Sequence, residues 1–242
     1  MNYSAIILAA GKGTRMKSEL PKCAVSLCGK PMINYIVAAC NNAKVNDICV
    51  ILGHKKEVLE NILKDTVNYA YQLEQLGTAH AVSSAKSFYQ NKEGLILIFP
   101  GDMPLIKSST IEELINNHIN NKNDLTVVTT IVDNPFSYGR IVRKNGNVIK
   151  IVEEKEATDE EKKINEINAG LYCINAELLE DALNKVDNNN NKGEYYLTDI
   201  VEILGSSKKV DSFIVKDALE LTGINDVETL KMVEEEVSKR TK

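Results

Sequence analysis

The 242-residue sequence lacks the features that mark membrane and secreted proteins. No stretch approaches the roughly 18 consecutive apolar residues that a membrane-spanning helix needs. Residues 1–4 contain no basic side chain ahead of the first apolar segment, so that segment is predicted to be a core strand and not a signal peptide. We therefore expect a cytoplasmic protein that does not contact a membrane.

The sequence also lacks the patterns of zinc sites, disulfide frameworks and histidine catalysis. Its five cysteines include no Cys-x-x-Cys pair and lie mostly in apolar segments, which predicts buried or inert thiols. None of the three histidines is predicted to be catalytic. His80 could pack or cap a helix, and His118 lies at a polar helix end where we expect it to be exposed.

Long runs of basic residues are missing as well. With 29 Lys and Arg against 34 Asp and Glu, the net charge is −5, which argues against a nonspecific nucleic-acid surface. A polyphosphate ligand would have to be bound by a local cluster of cations. The length and the 43% hydrophobic content are sufficient for one large α/β domain.

Apolar strand-like segments alternate with helix-like segments along most of the chain. This alternation predicts an α/β fold with a doubly wound sheet. Asn145-Gly146 indicates a hairpin turn, and Ser109 with Glu112 indicates a capping box. The predicted strands cover residues 2–9, 47–52, 67–71, 95–99, 125–132, 140–143, 148–151, 164–174 and 210–215, and the predicted helices cover 32–40, 55–64, 79–84, 109–120, 176–185 and 226–239.

A glycine loop follows the first predicted strand. Gly11 and Gly13 allow backbone N–H groups to approach a ligand closely, and cationic side chains follow at Arg15 and Lys22. The dinucleotide fingerprint would need a third glycine at Met16, and the P-loop would need a glycine at Ile6, so neither motif is present. A phosphate loop of another type remains, although such a loop can also be simple turn chemistry.

Asp102 follows another predicted strand, at 95–99. Because ligands of open α/β sheets bind outside the carboxyl ends of the strands, Asp102 and the glycine loop should lie along one rim. Magnesium prefers oxygen ligands and is usually held by one or two protein groups together with phosphates and water, which makes Asp102 a candidate metal ligand. An ordinary turn aspartate is the alternative.

Several motifs occur in an order similar to that of the N-acetylglucosamine-1-phosphate uridylyltransferases, within the sugar nucleotidyltransferase family. The resemblance covers essentially the whole chain. The chain is similar to the uridylyltransferase domain of bifunctional bacterial enzymes. It implies a Rossmann-like, doubly wound mixed sheet. The motifs are LAAGKGTRM at 8–16, QLEQLGTAHA at 72–81, GDMPL at 101–105, YGRI at 138–141, IVEEK at 151–155, EINAG at 166–170 and GEYYLTD at 193–199.

The resemblance implies a reaction. UMP is transferred from UTP to N-acetylglucosamine 1-phosphate by Mg²⁺-assisted, in-line attack on the α-phosphorus, with pyrophosphate as the leaving group. Two alternatives stay open: a nucleotidyltransferase for another sugar 1-phosphate or base, and a catalytically silent subunit that senses nucleotides or sugar phosphates.

The resemblance also implies roles for particular residues. Arg15 and Lys22 are expected to be catalytic, as charges on the phosphates, and Asp102 and Asn225 to bind the metal. Gly139, Glu153 and Asn168 are expected around the sugar, although Asn168-Ala169-Gly170 departs from the more common Asn-Thr-Gly. The expected nucleotide-binding residues are Leu8, Ala9, Ala10, Gly11, Gly13, Thr14, Gln72, Gly77, Thr78 and Gly101.

Three of these residues have simpler explanations. Gln72 could be a polar residue at a strand edge, Glu153 a solvated surface carboxylate, and Asn225 the N-cap of the last helix. The predicted organisation is a nucleotidyltransferase domain at 1–225 and a C-terminal helix at 226–242. No hexapeptide repeat of a left-handed β-helix is present, so acetyltransferase activity is not expected, and the oligomeric state is left open.

Overall fold

Strands and helices alternate through most of the chain, as predicted. The structure is a computed structural model that describes residues 1–240, and within them eleven strands and eight α-helices are present. The strands are β1 (Tyr3–Ala9), β2 (Ser26–Leu27), β3 (Lys30–Pro31), β4 (Asp47–Leu52), β5 (Asn68–Tyr71), β6 (Leu95–Pro100), β7 (Leu125–Ile131), β8 (Arg140–Lys144), β9 (Asn147–Val152), β10 (Glu166–Asn175) and β11 (Val210–Ile214).

The helices connect these strands and cover both faces of the sheet. They are α1 (Met32–Asn42), α2 (Lys56–Leu63), α3 (Thr78–Ser83), α4 (Lys86–Tyr89), α5 (Ser108–Asn120), α6 (Ala176–Leu183), α7 (Asp199–Gly205) and α8 (Val227–Arg240). No helix within residues 1–240 is long and apolar enough to cross a membrane.

The main sheet has the strand order β11-β7-β10-β6-β1-β4-β5. Its neighbouring strands run parallel except at β10, which is antiparallel to both β6 and β7. The β8–β9 hairpin attaches through β10, and both residues of its Asn145-Gly146 turn have positive φ, as a type I′ turn requires. The predicted doubly wound mixed sheet is confirmed.

Two hydrophobic cores lie on opposite faces of the sheet. Successive side chains of a strand point to opposite faces, so Ile7 packs in the core beneath α1 and α5 while Ile6 packs in the core beneath α3 and α6. Both isoleucines are completely buried. Burial on both faces explains why β1 is a continuous apolar run with no polar alternation.

The parallel arrangement brings the carboxyl ends of β1, β4 and β6 to one edge of the sheet. There the Gly101 N–H donates to the Leu8 carbonyl at 2.9 Å, which joins the loop after β6 to the loop after β1. A Cβ added at Gly101 would lie 2.5 Å from that carbonyl oxygen. Glycine is therefore needed at 101 for the two loops to lie this close together.

The start of α5 differs from the prediction. The helix begins at Ser108, and the residue before it, Lys107, provides no side-chain cap, so the expected Ser109–Glu112 capping box is wrong. Instead, the buried Glu220 carboxylate accepts hydrogen bonds from the Lys107 N–H (3.3 Å) and the Thr110 hydroxyl (2.5 Å). A distant acidic side chain therefore anchors the start of α5, which local sequence does not reveal.

One expectation about a single residue, His118, needs correction. His118 is 2% exposed, because α5 packs its far end against β7 and β10, and its ring contacts the Thr126 hydroxyl and the Asn175 amide. Four of the five cysteines are buried, as expected, but Cys28 is exposed. Helix α7 was not predicted at all.

The last helix packs against the segment that follows the glycine loop. Val233 of α8 is completely buried in a small cluster with Met16, Leu27, Met32 and Ile224. The predicted C-terminal helix extends to Lys242, and its last two residues, Thr241 and Lys242, lie outside the described residues. Helix α8 thus covers the outer side of the loop that carries Arg15.

Candidate active site

The glycine loop turns sharply directly after β1. Gly13 has φ +61°, and a Cβ added there would lie 2.6 Å from the Cβ of Lys22. A short 3₁₀ turn follows at Thr14–Met16, in which Thr14 and Arg15 are exposed and Met16 is buried. Glycine at 13 therefore allows the chain to turn back on itself and to place Lys22 beside the loop.

Four predicted residues meet in one polar cluster beyond this loop. The Lys22 ammonium donates to Asp102 Oδ2 at 2.5 Å and to Asn225 Oδ1 at 3.0 Å. Arg15 Nη2 donates to the same Asn225 oxygen at 3.1 Å, although the two residues are 210 positions apart in the sequence. We call Arg15, Lys22, Asp102 and Asn225 the charge cluster.

Backbone and side-chain contacts hold the two oxygen donors of the charge cluster in place. The Ile224 N–H donates to the Asp102 carbonyl at 2.9 Å, and Asn225 Nδ2 donates to the Gly223 carbonyl at 3.2 Å, which turns Asn225 Oδ1 toward the cations. The helix cap is not Asn225: the Asp226 carboxylate accepts from the Thr229 N–H at 2.8 Å. The side chain of Asn225 is thus available to the charge cluster.

The charge cluster contains two oxygen donors that could hold a divalent metal ion. Asp102 and Asn225 provide two oxygens that already converge on a positive charge, the Lys22 ammonium. Within residues 1–240, no group of three or more His, Cys, Asp or Glu side chains could hold a metal ion. Two oxygen donors beside the glycine loop suit a hard divalent cation that completes its coordination with water and other oxygen ligands.

A cavity of about 290 Å³ opens at the carboxyl edge of the sheet, next to the charge cluster. We call it the first cavity. Nine of the predicted site residues line it, together with others that were not predicted. Its lining is Leu8, Ala9, Gly11, Lys22, Cys23, Thr78, Pro100, Gly101, Asp102, Glu153, Asn168, Gly170, Tyr172, Leu197 and Thr198.

A second cavity, of about 230 Å³, adjoins the first. The two share Leu8, Gly11 and Thr78, so they are two compartments of one cleft. The second cavity adds three more predicted residues, Ala10, Gln72 and Gly77. Its lining is Leu8, Ala10, Gly11, Gln72, Gln75, Gly77, Thr78, Ala81 and Glu194.

Gln72 is a buried part of the second cavity. It is 4% exposed, and its Nε2 donates to the Gly77 carbonyl at 3.0 Å and contacts His80 Nδ1 at 3.1 Å. Both amide hydrogens are therefore used by the protein. Gln72 Oε1 has no hydrogen-bond donor within the part of the chain that the structure describes, which leaves it available to a ligand N–H.

Helix α3 starts with a tight approach of two backbones. Gly77 has φ +121°, and a Cβ added there would lie 2.4 Å from the Tyr195 carbonyl oxygen. The Ala79 N–H donates to that oxygen at 2.9 Å, and the Leu197 N–H donates to the Thr78 hydroxyl at 2.9 Å. These contacts join the N-terminus of α3 to the segment before α7. The helix start and that segment therefore lie side by side at the cleft.

The three residues expected around a sugar lie close together, and two of them, Glu153 and Asn168, line the first cavity. The Asn168 N–H donates to the Gly139 carbonyl at 2.9 Å, and a Cβ added at Gly139 would lie 3.6 Å from Glu153 Oε1. Burial raises the pKa of Glu153, with the Lys192 charge opposing that shift. Glu153 is thus not a fully solvated surface carboxylate, although composition alone had suggested one.

The structure also adds residues that sequence reasoning did not assign. Thr198 lines the first cavity and its hydroxyl donates to Glu153 Oε1 at 3.4 Å, and the buried Tyr172 lines the same compartment. Thr198 belongs to a motif already noted in the sequence, but Tyr172 stands in an ordinary apolar strand and gave no signal. Five predicted residues lie outside the linings of both cavities: Gly13, Thr14, Arg15, Gly139 and Asn225.

Curated proteins similar to this chain are bifunctional GlmU proteins of bacteria. The Clostridium beijerinckii protein is 49% identical over 241 residues, which cover 99% of this chain and 53% of that protein. The Clostridioides difficile (strain 630) protein is 48% identical over 242 residues, covering 99% and 52%. This chain therefore spans about half the length of the curated relatives that it matches.

Solved structures and a family model agree on the fold. A UDP-glucose pyrophosphorylase complexed with UDP-glucose has a TM-score of 0.79 at 20% identity, covering 99% of this chain and 100% of that one. A putative glucose-1-phosphate thymidylyltransferase from Bacillus anthracis in complex with a sucrose has a TM-score of 0.76 at 19% identity, covering 96% and 94%. The model of the family described as nucleotidyl transferase matches residues 4–230. Because that match covers nearly all of the chain, this protein belongs to the nucleotidyl transferase family.

Proposed function

We propose that this chain transfers UMP from UTP to N-acetylglucosamine 1-phosphate and releases pyrophosphate. One observation carries the proposal: the charge cluster lies beside a cleft whose two compartments present Gln72 at one end and Glu153 with Asn168 at the other. A nucleoside triphosphate and a sugar phosphate can lie end to end in such a cleft, with their phosphates at the cations. The similarity to GlmU proteins over 99% of the chain supports the choice of substrates.

The second cavity would take the uracil base. Uracil presents one N–H donor between two carbonyl acceptors. Gln72 Oε1 is available to accept from that N–H, because both hydrogens of the Gln72 amide are directed to Gly77 and His80. A cytosine ring has no N–H at this position, so the same glutamine orientation would leave its oxygen facing an acceptor.

The reaction needs neutralised charge and aligned reactants more than a covalent nucleophile. A phosphate oxygen of the sugar phosphate forms a new bond to the α-phosphorus, while the bond to the bridging oxygen breaks and its electron pair leaves on pyrophosphate. We assign Arg15 to the departing phosphates and Lys22 to the α-phosphate, because both cations belong to the charge cluster. Cys23 lines the cavity, but burial raises its pKa to about 12, so it is a neutral thiol and no nucleophile.

Nucleotidyl transferases generally use divalent metal ions, and we assign Mg²⁺ to Asp102 and Asn225. Their oxygens would hold the ion, which would neutralise phosphate charge during the displacement. Lys22 pairs with both oxygens in this structure. With the ion held by Asp102 and Asn225, Lys22 would be free to contact phosphate.

The first experiment measures pyrophosphate release by the purified protein with Mg²⁺ and UTP. We expect rapid release with N-acetylglucosamine 1-phosphate, and little with glucosamine 1-phosphate, with glucose 1-phosphate, or when CTP or dTTP replaces UTP. Release with a different pair would retain the chemistry and contradict the assigned substrates. Release with no pair would contradict the enzymatic proposal and favour a sensing subunit.

A matched pair of aspartate variants tests the charge cluster in the same assay. Asp102→Asn should lower kcat about 100-fold or more, the size of loss seen when one electrostatic stabiliser of a transition state is removed. Asp47→Asn is the control, because Asp47 accepts hydrogen bonds from Ser4 and Lys92 at the opposite edge of the sheet. Similar activity in both variants would disprove the role of Asp102.

A further inference from the structure

Tyr172 and Asn168 form a hydrogen-bonded pair in the first cavity. Asn168 Nδ2 donates to Tyr172 Oη at 2.9 Å, and Asn168 Oδ1 accepts from the Gly170 N–H at 2.9 Å. The second bond determines which way the amide faces, because a reversed amide would place its NH₂ against the Gly170 N–H. Asn168 must therefore be the donor to the tyrosine.

The hydroxyl proton of Tyr172 is consequently free. A phenol has one hydrogen to donate, and its oxygen already accepts from Asn168, so the O–H bond must point away from that amide. Within the described residues the Tyr172 hydroxyl donates to no acceptor. The ring is 2% exposed and lines the cavity, and burial raises the pKa of Tyr172, so the proton is present at neutral pH.

An irregularity in β10 makes this pairing possible. Asn168 lies opposite Thr129 and Tyr172 lies opposite Val127, so four steps along β10 match two steps along β7. A regular strand would separate residues four apart by about 13 Å, whereas two steps of β7 span about 7 Å. The extra residues include Gly170, whose φ is +76°. The bulge therefore brings both side chains to the same compartment.

We propose that the Tyr172 hydroxyl donates a hydrogen bond to an oxygen of the bound sugar and is a specificity-determining residue of the sugar compartment. Sugar hydroxyl and carbonyl oxygens are the acceptors that a neutral phenol suits. A buried donor rejects ligands that leave it without a partner. This inference depends on the proposed function, because the sugar occupies the first cavity, beside Glu153 and Asn168, only if the two substrates lie end to end as proposed above.

The test compares the binding of UDP-N-acetylglucosamine, UDP-glucose and UDP in the presence of Mg²⁺ by isothermal titration calorimetry. Tyr172→Phe removes only the hydroxyl. We expect it to raise the Kd for UDP-N-acetylglucosamine about 10-fold, as for the loss of one hydrogen bond, and to leave the Kd for UDP unchanged. Tyr89→Phe is the control, because Tyr89 is a buried tyrosine of α4 that does not line the cleft.

The UDP titration separates a specific effect from a structural one. Equal weakening of UDP and UDP-N-acetylglucosamine, or no weakening of either, would overturn the role of Tyr172 while the proposed function stands. If wild-type protein binds UDP-glucose in preference and Tyr172→Phe weakens that ligand alone, the role of Tyr172 stands and the assigned substrate is wrong. If wild-type protein binds neither UDP-N-acetylglucosamine nor UDP-glucose more tightly than UDP, both the role of Tyr172 and the proposed function are overturned.

Discussion

Lys22 and Asp102 form an ion pair in the charge cluster. One ammonium lies 2.5 Å from a carboxylate and 3.0 Å from an amide oxygen, and its side chain is 19% exposed. Such a partly buried pair avoids the cost of an isolated buried charge. Under the proposed function, the same side chains would exchange partners on substrate binding, with Lys22 moving from Asp102 to a phosphate.

His118 makes a residue-scale contribution to the pH dependence of stability. Its burial lowers its pKa below the usual 6.5, so the folded state holds the neutral ring while the unfolded state takes up a proton. The contribution of His118 to the free energy of unfolding is therefore fully present above about pH 6.5. It is lost as the pH falls below that value.

The prediction is tested by urea unfolding of wild-type protein and of His118→Gln at pH 7.5 and pH 5.5. Glutamine retains hydrogen-bonding groups for Thr126 and Asn175 but does not titrate in this range. We expect wild-type protein to lose more free energy of unfolding between the two pH values than the variant does. Asp199, whose pKa is raised to about 6 by burial, acts in the opposite direction in both proteins and cancels from the comparison. Identical losses would exclude His118 as the source.

At the scale of elements, the regular strands and helices follow the sequence closely while their ends do not. β4 has the predicted bounds, Asp47–Leu52, because an apolar run of that length between polar residues is itself a buried strand. At the start of α5, Lys107 and Thr110 donate hydrogen bonds to Glu220, more than 100 residues later, and α7 lies in a stretch noted only as a motif. Long-range contacts thus set the features that local patterns missed.

Gly77 gives a prediction at this scale, because it controls how α3 enters the cleft. Alanine there would have to adopt φ +121° and place its Cβ 2.4 Å from the Tyr195 carbonyl oxygen. We expect Gly77→Ala to displace α3 or the Tyr195 segment, to lower the free energy of unfolding by about 1–3 kcal/mol or more, and to weaken UTP binding about 10-fold or more.

The matched control for Gly77→Ala is Gly146→Ala. Gly146 also has positive φ, +85°, but a Cβ there would meet no atom within 4 Å. It lies in the β8–β9 turn, so the control variant should lose some stability and retain its affinity for UTP. Thermal unfolding and UTP titration of both variants separate backbone strain from the close approach. Equal UTP affinity in the two variants would contradict a role for Gly77 in shaping the cleft.

At the scale of the whole molecule, one edge of the sheet carries the site and the opposite edge carries structural contacts. The glycine loop and Asp102 lie at the carboxyl ends of the parallel strands, as the geometry of open α/β sheets predicts. At the other ends Asp47 accepts hydrogen bonds from Ser4 and Lys92. Ligand binding should therefore affect one edge alone.

Hydrogen–deuterium exchange tests this division. With UDP-N-acetylglucosamine and Mg²⁺ bound, we expect slower amide exchange in residues 9–16, 72–79 and 101–103, since these segments line or flank the cleft. Residues 43–47 and 90–94, at the opposite edge, provide the internal control and should exchange at unchanged rates. Protection confined to the control segments would place the ligand elsewhere and contradict the assigned cleft.

The sequence by itself determined the α/β class, most of the strands and helices, and the glycine loop with Asp102 on one rim. These features depend on short-range patterns: apolar runs, turn residues and strand ends that parallel pairing must bring to one edge. The resemblance of the motifs added Gln72, Glu153 and Asn168 to the predicted site. Local propensity alone would not have identified these three residues.

Only the tertiary structure decided which distant residues share a cluster. Asn225 reaches Arg15 across 210 positions because α8 packs beside the glycine loop, and Tyr172 reaches Asn168 because β10 contains a bulge. His118 is buried because β7 and β10 cover its helix end. Periodicity describes which face of an element is apolar, but packing between elements determines what that face and its neighbours contact.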